Sequence, residues 1–306
     1  MKAWPAASAL VLLAVLTACG GRPPNAGPAM KELGIFEPGA PGSYAPVATF
    51  SSVSGVRPNL DVYYSGWYEP FQAGFAADAA RRGAVTLVQI DPMGISLAAI
   101  AAGAYDGYLR SFAAAVRATG RRVVLSFGHE MNASWYSWGI DNTAPAIFVA
   151  AWRHIVTQFR AAGARNVIWL WTVNVEGGPS HVAPIAPWWP GDDYVTWVGL
   201  DGYFYGPSQT FESVFASTIH AVHALTSAPV LIAETGAAPG TGKPAKVAEL
   251  FAGVRSYGLL GFVWFDKVTD RDWRISNDPA AIAALRAGVP AAMKGIPGAK
   301  CRAPDP

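Results

Sequence analysis

The chain is expected to fold as an α/β protein, a single-domain (β/α)8 TIM barrel, on three observations. Eight short apolar runs are nearly continuous in hydrophobicity, as parallel strands covered on both faces are. Longer segments with helical spacing separate these runs. Together they occupy about 260 residues, the usual length of such a barrel.

The strand candidates, in order, are GIFEP, LDVYYSGW, VTLVQIDP, VVLSFGHE, NVIWLWTVN, VTWVGLDGY, VLIAETG and GFVWFD. Between them, Tyr105, Tyr108, Leu109, Phe112 and Val116 fall on one helical face, as do Phe148, Trp152, Ile155, Val156 and Phe159. Asn142 or Thr143 is placed to cap the second of these helices, with Pro145 in its first turn. RATGRRVVL and RAAGARNVIWL each read as a helix stopped at glycine before the next strand. A doubly wound open sheet is the alternative, but GIFEPGAPGS lacks the GxGxxG turn with which such sheets usually begin.

Outside the barrel the ends read differently. Residues 1–18 carry Lys2 and an apolar segment, Ala9 to Leu16, too short for a membrane span and suited to a signal peptide. Leu16-Thr17-Ala18-Cys19 resembles the bacterial lipoprotein cleavage box, in which the cysteine is lipidated; an ordinary signal peptide with an incidental cysteine is the alternative. Residues 19–30 then form a Gly/Pro-rich tether, 31–293 the barrel, and 294–306 a Pro-rich tail. On this reading the chain is exported and anchored to the membrane by lipid, or otherwise secreted. Cys301 has no intramolecular partner once Cys19 carries lipid, so no disulfide framework is expected.

Composition excludes several classes. With 52% hydrophobic and 14% charged residues, the chain buries a substantial core. A net charge of +2 with scattered basic residues gives no footprint for nucleic acid. Nothing points to a cofactor or to an obligate protein partner. A zincin site requires HExxH, whereas position 133, four residues after His129, is Ala; His220 and His223 lack a third ligand, so no metal is expected. A GxSxG elbow is absent too.

Barrel chemistry sits at the carboxyl ends of the strands. Six strand candidates end on or beside an acid there: Glu37, Asp91, Glu130, Asp201, Glu234 and Asp266. Trp67, Trp135, Trp138, Tyr203 and Trp264 fall at the same end and would wall the mouth with aromatic rings, with Asn174 beside them. Paired carboxyl groups between flat aromatic platforms suit cleavage of a glycosidic bond.

The segment FGHEMNASWYSWG resembles the fourth-strand motif of family 26 glycoside hydrolases, known best for β-mannanases. NVIWLWTVN, WWPGDDYVTWVGLDGYFY, VLIAETG and GFVWFDKVTDRDWRIS resemble further family segments in family order. The resemblance implies a retaining enzyme with Glu130 as acid/base and Glu234 as nucleophile. It also implies that His129 orients the acid/base region, that Tyr203 donates to the nucleophile, and that Trp135 and Trp264 line the nearest subsites. Asn174 would contact sugar hydroxyls or cap a loop, and Asp201 would bond backbone in its turn. For Trp138 and Trp188, ordinary packing is an equal alternative. Two departures stand out: many family members carry Arg where this chain has Ser126, and Gly where it has Ala133. The implied substrate is a β-linked polysaccharide of the β-1,4-mannan type, cut internally. Mixed-linkage β-glucan, β-1,3-xylan, a bacterial exopolysaccharide, transglycosylation, or binding without catalysis remain as alternatives.

Overall fold

The structure, a computed structural model, describes residue 1 and residues 30–176, 181–240, 242–290 and 293–294. The leader, Cys19, most of the tether, Cys301 and nearly all of the tail lie outside these residues.

Eight parallel strands close in chain order, with β1 pairing β8. They are β1 (Glu32–Phe36), β2 (Leu60–Gly66), β3 (Val85–Asp91), β4 (Val123–Phe127), β5 (Val167–Asn174), β6 (Trp197–Asp201), β7 (Val230–Thr235) and β8 (Gly261–Phe265). Each coincides with one of the apolar runs. Around them lie α1 (Ala45–Ser54), α2 (Ala73–Arg81), the short α3 (Leu97–Ala101), α4 (Asp106–Ala118), α5 (Pro145–Ala161), α6 (Ser217–Leu225), α7 (Lys243–Ser256) and α8 (Pro279–Gly288). Between β5 and β6 the described chain makes two 3-10 turns, Ala186–Trp188 and Asp192–Tyr194. Among the described residues no helix is long and apolar enough to cross a membrane.

Side-chain alternation sorts the core into two parts. Leu60, Val62, Leu87, Val124, Leu170 and Leu231 fill the barrel interior. Val88, Leu125, Phe127, Trp171 and Val198 belong to the larger layer that includes the helices. Each fully buried aliphatic side chain contributes about 1.5–3 kcal/mol relative to exposure. The two helical faces read from sequence are those that pack, with Leu109, Phe112, Val116, Phe148, Trp152 and Phe159 buried. The expected cap of α5 differs. Its N-cap is Ala144, with no side-chain hydrogen bond, and Pro145 in the first turn starts the helix. Proline supplies a helical φ and lacks the N–H that a cap would otherwise satisfy.

Candidate active site

Two local irregularities aim the glutamates. After β4 the chain turns through Gly128 (φ 54°) and Glu130 (φ 54°). The left-handed region costs a side chain roughly 1–2 kcal/mol, so a glutamate held there needs support from its surroundings. The Glu130 N–H donates to the Thr172 carbonyl at 3.0 Å, tying the turn to β5. Space at 128 is tight as well: a Cβ would sit 3.2 Å from the Phe148 ring and 3.3 Å from Trp138.

On β7, Leu231 and Ala233 face the barrel interior, so strict alternation would turn Glu234 outward. The register with β6 shifts between Leu200 and Asp201, and Asp201 then pairs with Glu234. A bulge of this kind re-aims a side chain. Glu234 consequently shares one cleft with Glu130, about 580 Å³ in volume, walled by Trp135, Tyr203, Tyr205 and Trp273.

The two carboxyl groups have different surroundings. Glu130 Oε2 accepts from Trp135 Nε1 at 2.6 Å, and its Oε1 from Asn174 Nδ2 at 2.6 Å. Burial raises the pKa of Glu130 and Glu234 adds to the rise, against the lowering effects of His129, Asn174 and Trp135. Glu234 accepts from two phenols, Tyr64 on Oε2 and Tyr203 on Oε1. Burial, and then the charge of Glu234, push both phenols well above the usual tyrosine range, so both remain donors.

His129 sits below. Its Nδ1 is 3.1 Å from Asp91 Oδ1 and its Nε2 is 3.0 Å from the Tyr136 hydroxyl. Burial opposes its charge, but Asp91, Glu130 and Glu234 outweigh this and raise the imidazole to about 9. The three carboxyl groups around the ring thus favour its protonated form. Ser126 fits its fully buried place by a 3.0 Å hydrogen bond to the Thr172 hydroxyl. The absence of a Cβ at Gly199, which would lie 2.6 Å from Thr172 Oγ1, makes room for that pair.

Several expected residues are elsewhere. Trp264 is 1% exposed, packs on the helix side, and donates to the Trp273 carbonyl at 2.9 Å, so it lines no subsite. On a five-residue strand its place is set by alternation, and Trp273 from the following loop takes the cleft position instead. Trp67 is enclosed by Tyr105, Tyr108 and Phe127. Trp138 is fully buried, stacks on Tyr136 at 4.3 Å and donates to the His129 carbonyl. Both support the wall from behind. Trp188 is also core. Neither carboxyl oxygen of Asp201 has a protein hydrogen-bond partner among the described residues, contrary to the expected backbone bond. Burial, then Glu234 and Glu130, raise its pKa well above the usual range, which favours the neutral acid. Glu37 and Asp266 follow the paired ends of β1 and β8, where burial and the neighbouring Asp266 charge raise the pKa of Glu37. No three His, Cys, Asp or Glu side chains gather as a metal site among the described residues.

Tyr64, Tyr136 and Trp273 were not singled out as site residues from sequence. Tyr64 is one of two tyrosines in VYYSG, and only the strand's phase decides which faces inward.

The protein is therefore a (β/α)8 barrel with a carboxyl-paired, aromatic-walled cleft at its C-terminal mouth. Residues 113–244, which hold both glutamates, match Glycosyl hydrolase family 26. Endoglucanase H of Acetivibrio thermocellus is 30% identical over 266 residues, covering 81% of this chain and 29% of the relative. Mannan endo-1,4-beta-mannosidase A and B of Caldalkalibacillus mannanilyticus is 30% identical over 86 residues, 26% of this chain and 16% of the relative. The chain thus spans under a third of the length of either relative. A modular endo-beta-1,4-mannanase from Cellulomonas fimi shares the fold, with a TM-score of 0.67 at 16% identity over 85% of this chain and 70% of that one.

Proposed function

We propose that the chain is a retaining glycoside hydrolase that cuts within a β-linked polysaccharide. The observation that carries this reading is the contrast between two glutamates on one cleft. Glu130 is buried and favoured in its protonated form, whereas Glu234 accepts from phenols on both oxygens. That division suits an acid and a nucleophile. Glu234 attacks the anomeric carbon as Glu130 gives its proton to the departing glycosidic oxygen. A glycosyl-enzyme results. Glu130 then takes a proton from water, whose oxygen displaces Glu234 at the same carbon, with net retention.

The motifs favour β-1,4-mannan as substrate. A β-glucan reading has its own support, because the match covering 81% of the chain is to an endoglucanase. Release of reducing ends from mannan, mixed-linkage glucan and β-1,3-xylan, with Glu234→Ala as control, separates these. Reducing ends from one glycan that disappear in the variant support the reading. Equal binding of a glycan by both proteins without cleavage overturns it in favour of a carbohydrate-binding role. The proposed location is the outer side of a membrane, with the chain anchored by lipid at Cys19. Radiolabelled palmitate incorporated by the wild type and by Cys19→Ala alike would sink that assignment.

A further inference from the structure

At the opposite end of the barrel a second cleft of about 580 Å³ opens between α2 and α4. That volume falls within the range of small-molecule sites, about 300–1,000 Å³. On α2, Ala73, Ala76, Ala77 and Ala80 line it, at the spacing of one helical face. Ala115 and Ala118 of α4 face them. The floor contains Thr86, 3% exposed, whose hydroxyl has no hydrogen-bond partner. It points outward from β3, away from the interior residue Leu87, and into the cleft.

The rim is cationic. Arg81, Arg121 and Arg122 line it, and no acid does. Arg81 pairs with Asp78 outside the lining, and Arg122 lies near enough to Glu32 to favour its charge. The guanidinium groups of Arg121 and Arg122 make no hydrogen bond among the described residues, and both side chains are exposed. A trough walled by alanines with arginines at its lip complements an alkyl chain bearing an anionic head. The chain enters β1 from this same end, whereas the cleft holding Glu130 and Glu234 opens at the other.

We propose that this groove takes an acyl chain of an anionic membrane phospholipid, so that this end of the barrel rests on the bilayer. The catalytic mouth then faces outward, toward extended polysaccharide.

The test is flotation of the full chain with vesicles of phosphatidylglycerol and phosphatidylcholine, against phosphatidylcholine alone. Wild type is expected to prefer the anionic vesicles. Arg121→Gln with Arg122→Gln should weaken that binding about thirtyfold, the worth of two basic residues near such a surface. Ala76→Phe with Ala80→Phe fills the groove and keeps every charge, and should weaken binding about tenfold, equivalent to losing two buried methylenes. Every protein in the test, the wild type included, carries Cys19→Ala, so a lipid at that position anchors none of them. Wild-type binding by the filled variant would leave a charge effect alone and overturn the proposal. Equal binding to neutral and anionic vesicles would overturn it too, as would vesicle binding abolished by soluble dextran sulfate in the wild type and the filled variant alike. The arginine pair is exposed, so its result stands even if the phenylalanines disturb the fold.

Discussion

Tyr64 and Glu234 lie 170 residues apart in the chain, and the phenol of one donates to Oε2 of the other at the barrel mouth. Tyr203 holds the second oxygen from the end of β6. The carboxylate is gripped from two directions and cannot rotate without losing a charge-assisted bond.

Tyr64→Phe and Tyr203→Phe should each lower kcat on the glycan that the wild type cuts. A hydrogen bond to a charged group contributes about 1.5–3 kcal/mol, which corresponds to roughly 10–100-fold. KM should move much less for Tyr64→Phe, because Tyr64 lies beneath the cleft and is not part of its wall. Steady-state kinetics on both variants check this. An unchanged kcat for Tyr64→Phe would remove it from the mechanism.

Asn174→Ala should shift the alkaline limb of the rate profile to higher pH. The Asn174 bond lowers the pKa of Glu130, so its loss leaves burial and Glu234 less opposed, and the acid keeps its proton longer. Rate measured against pH in the variant and the wild type gives the direction. A shift toward lower pH would contradict the assignment of Glu130 as proton donor.

The Glu37–Asp266 pair predicts a stability trend. Burial, then Asp266, raise Glu37 from 4.5 to about 9. Between those values the folded chain holds a proton that the unfolded chain has released. The stabilisation is complete below about 4.5 and is lost as pH rises toward about 9. Thermal melts should show Tm falling over that window, and Glu37→Gln should flatten the fall. The site bears on the cleft, since Asp266 accepts the Ile275 and Ser276 N–H groups that follow Trp273.

Trp264→Phe and Trp135→Phe should differ in kind. The first removes a buried hydrogen bond and some core volume, costing about 1–2 kcal/mol, or several degrees of Tm. It should leave KM near the wild-type value. The second, on a 44% exposed ring bonded to Glu130, should spare Tm and lower kcat. Paired melts and kinetics separate the two.

Much of the fold was legible because strand and helix signals are local. A run such as VVLSF is apolar on both faces whatever the rest of the chain does, and eight such runs at helical separation leave few architectures. Glu130 and Glu234 each stand at the end of such a run, but so do four other acids, and only the resemblance to family 26 singles out these two. The rings were not. Trp135, Trp138 and Trp264 look alike in sequence, yet one walls the cleft and two are core, because which face is buried depends on what packs behind it.

The order of the eight strands, their burial on both faces and the end of the barrel at which the acids gather all follow from the chain's own pattern of apolar runs. Which groups meet depends on contacts between distant parts of the chain. Barrel closure brings β2 and β7 to one mouth, so Tyr64 reaches a carboxylate that no local pattern connects to it. The shifted register between β6 and β7 turns Glu234 inward against the alternation of its own strand. Hydrophobic runs are written residue by residue, but a bulge is settled only when two strands must share one ladder of hydrogen bonds.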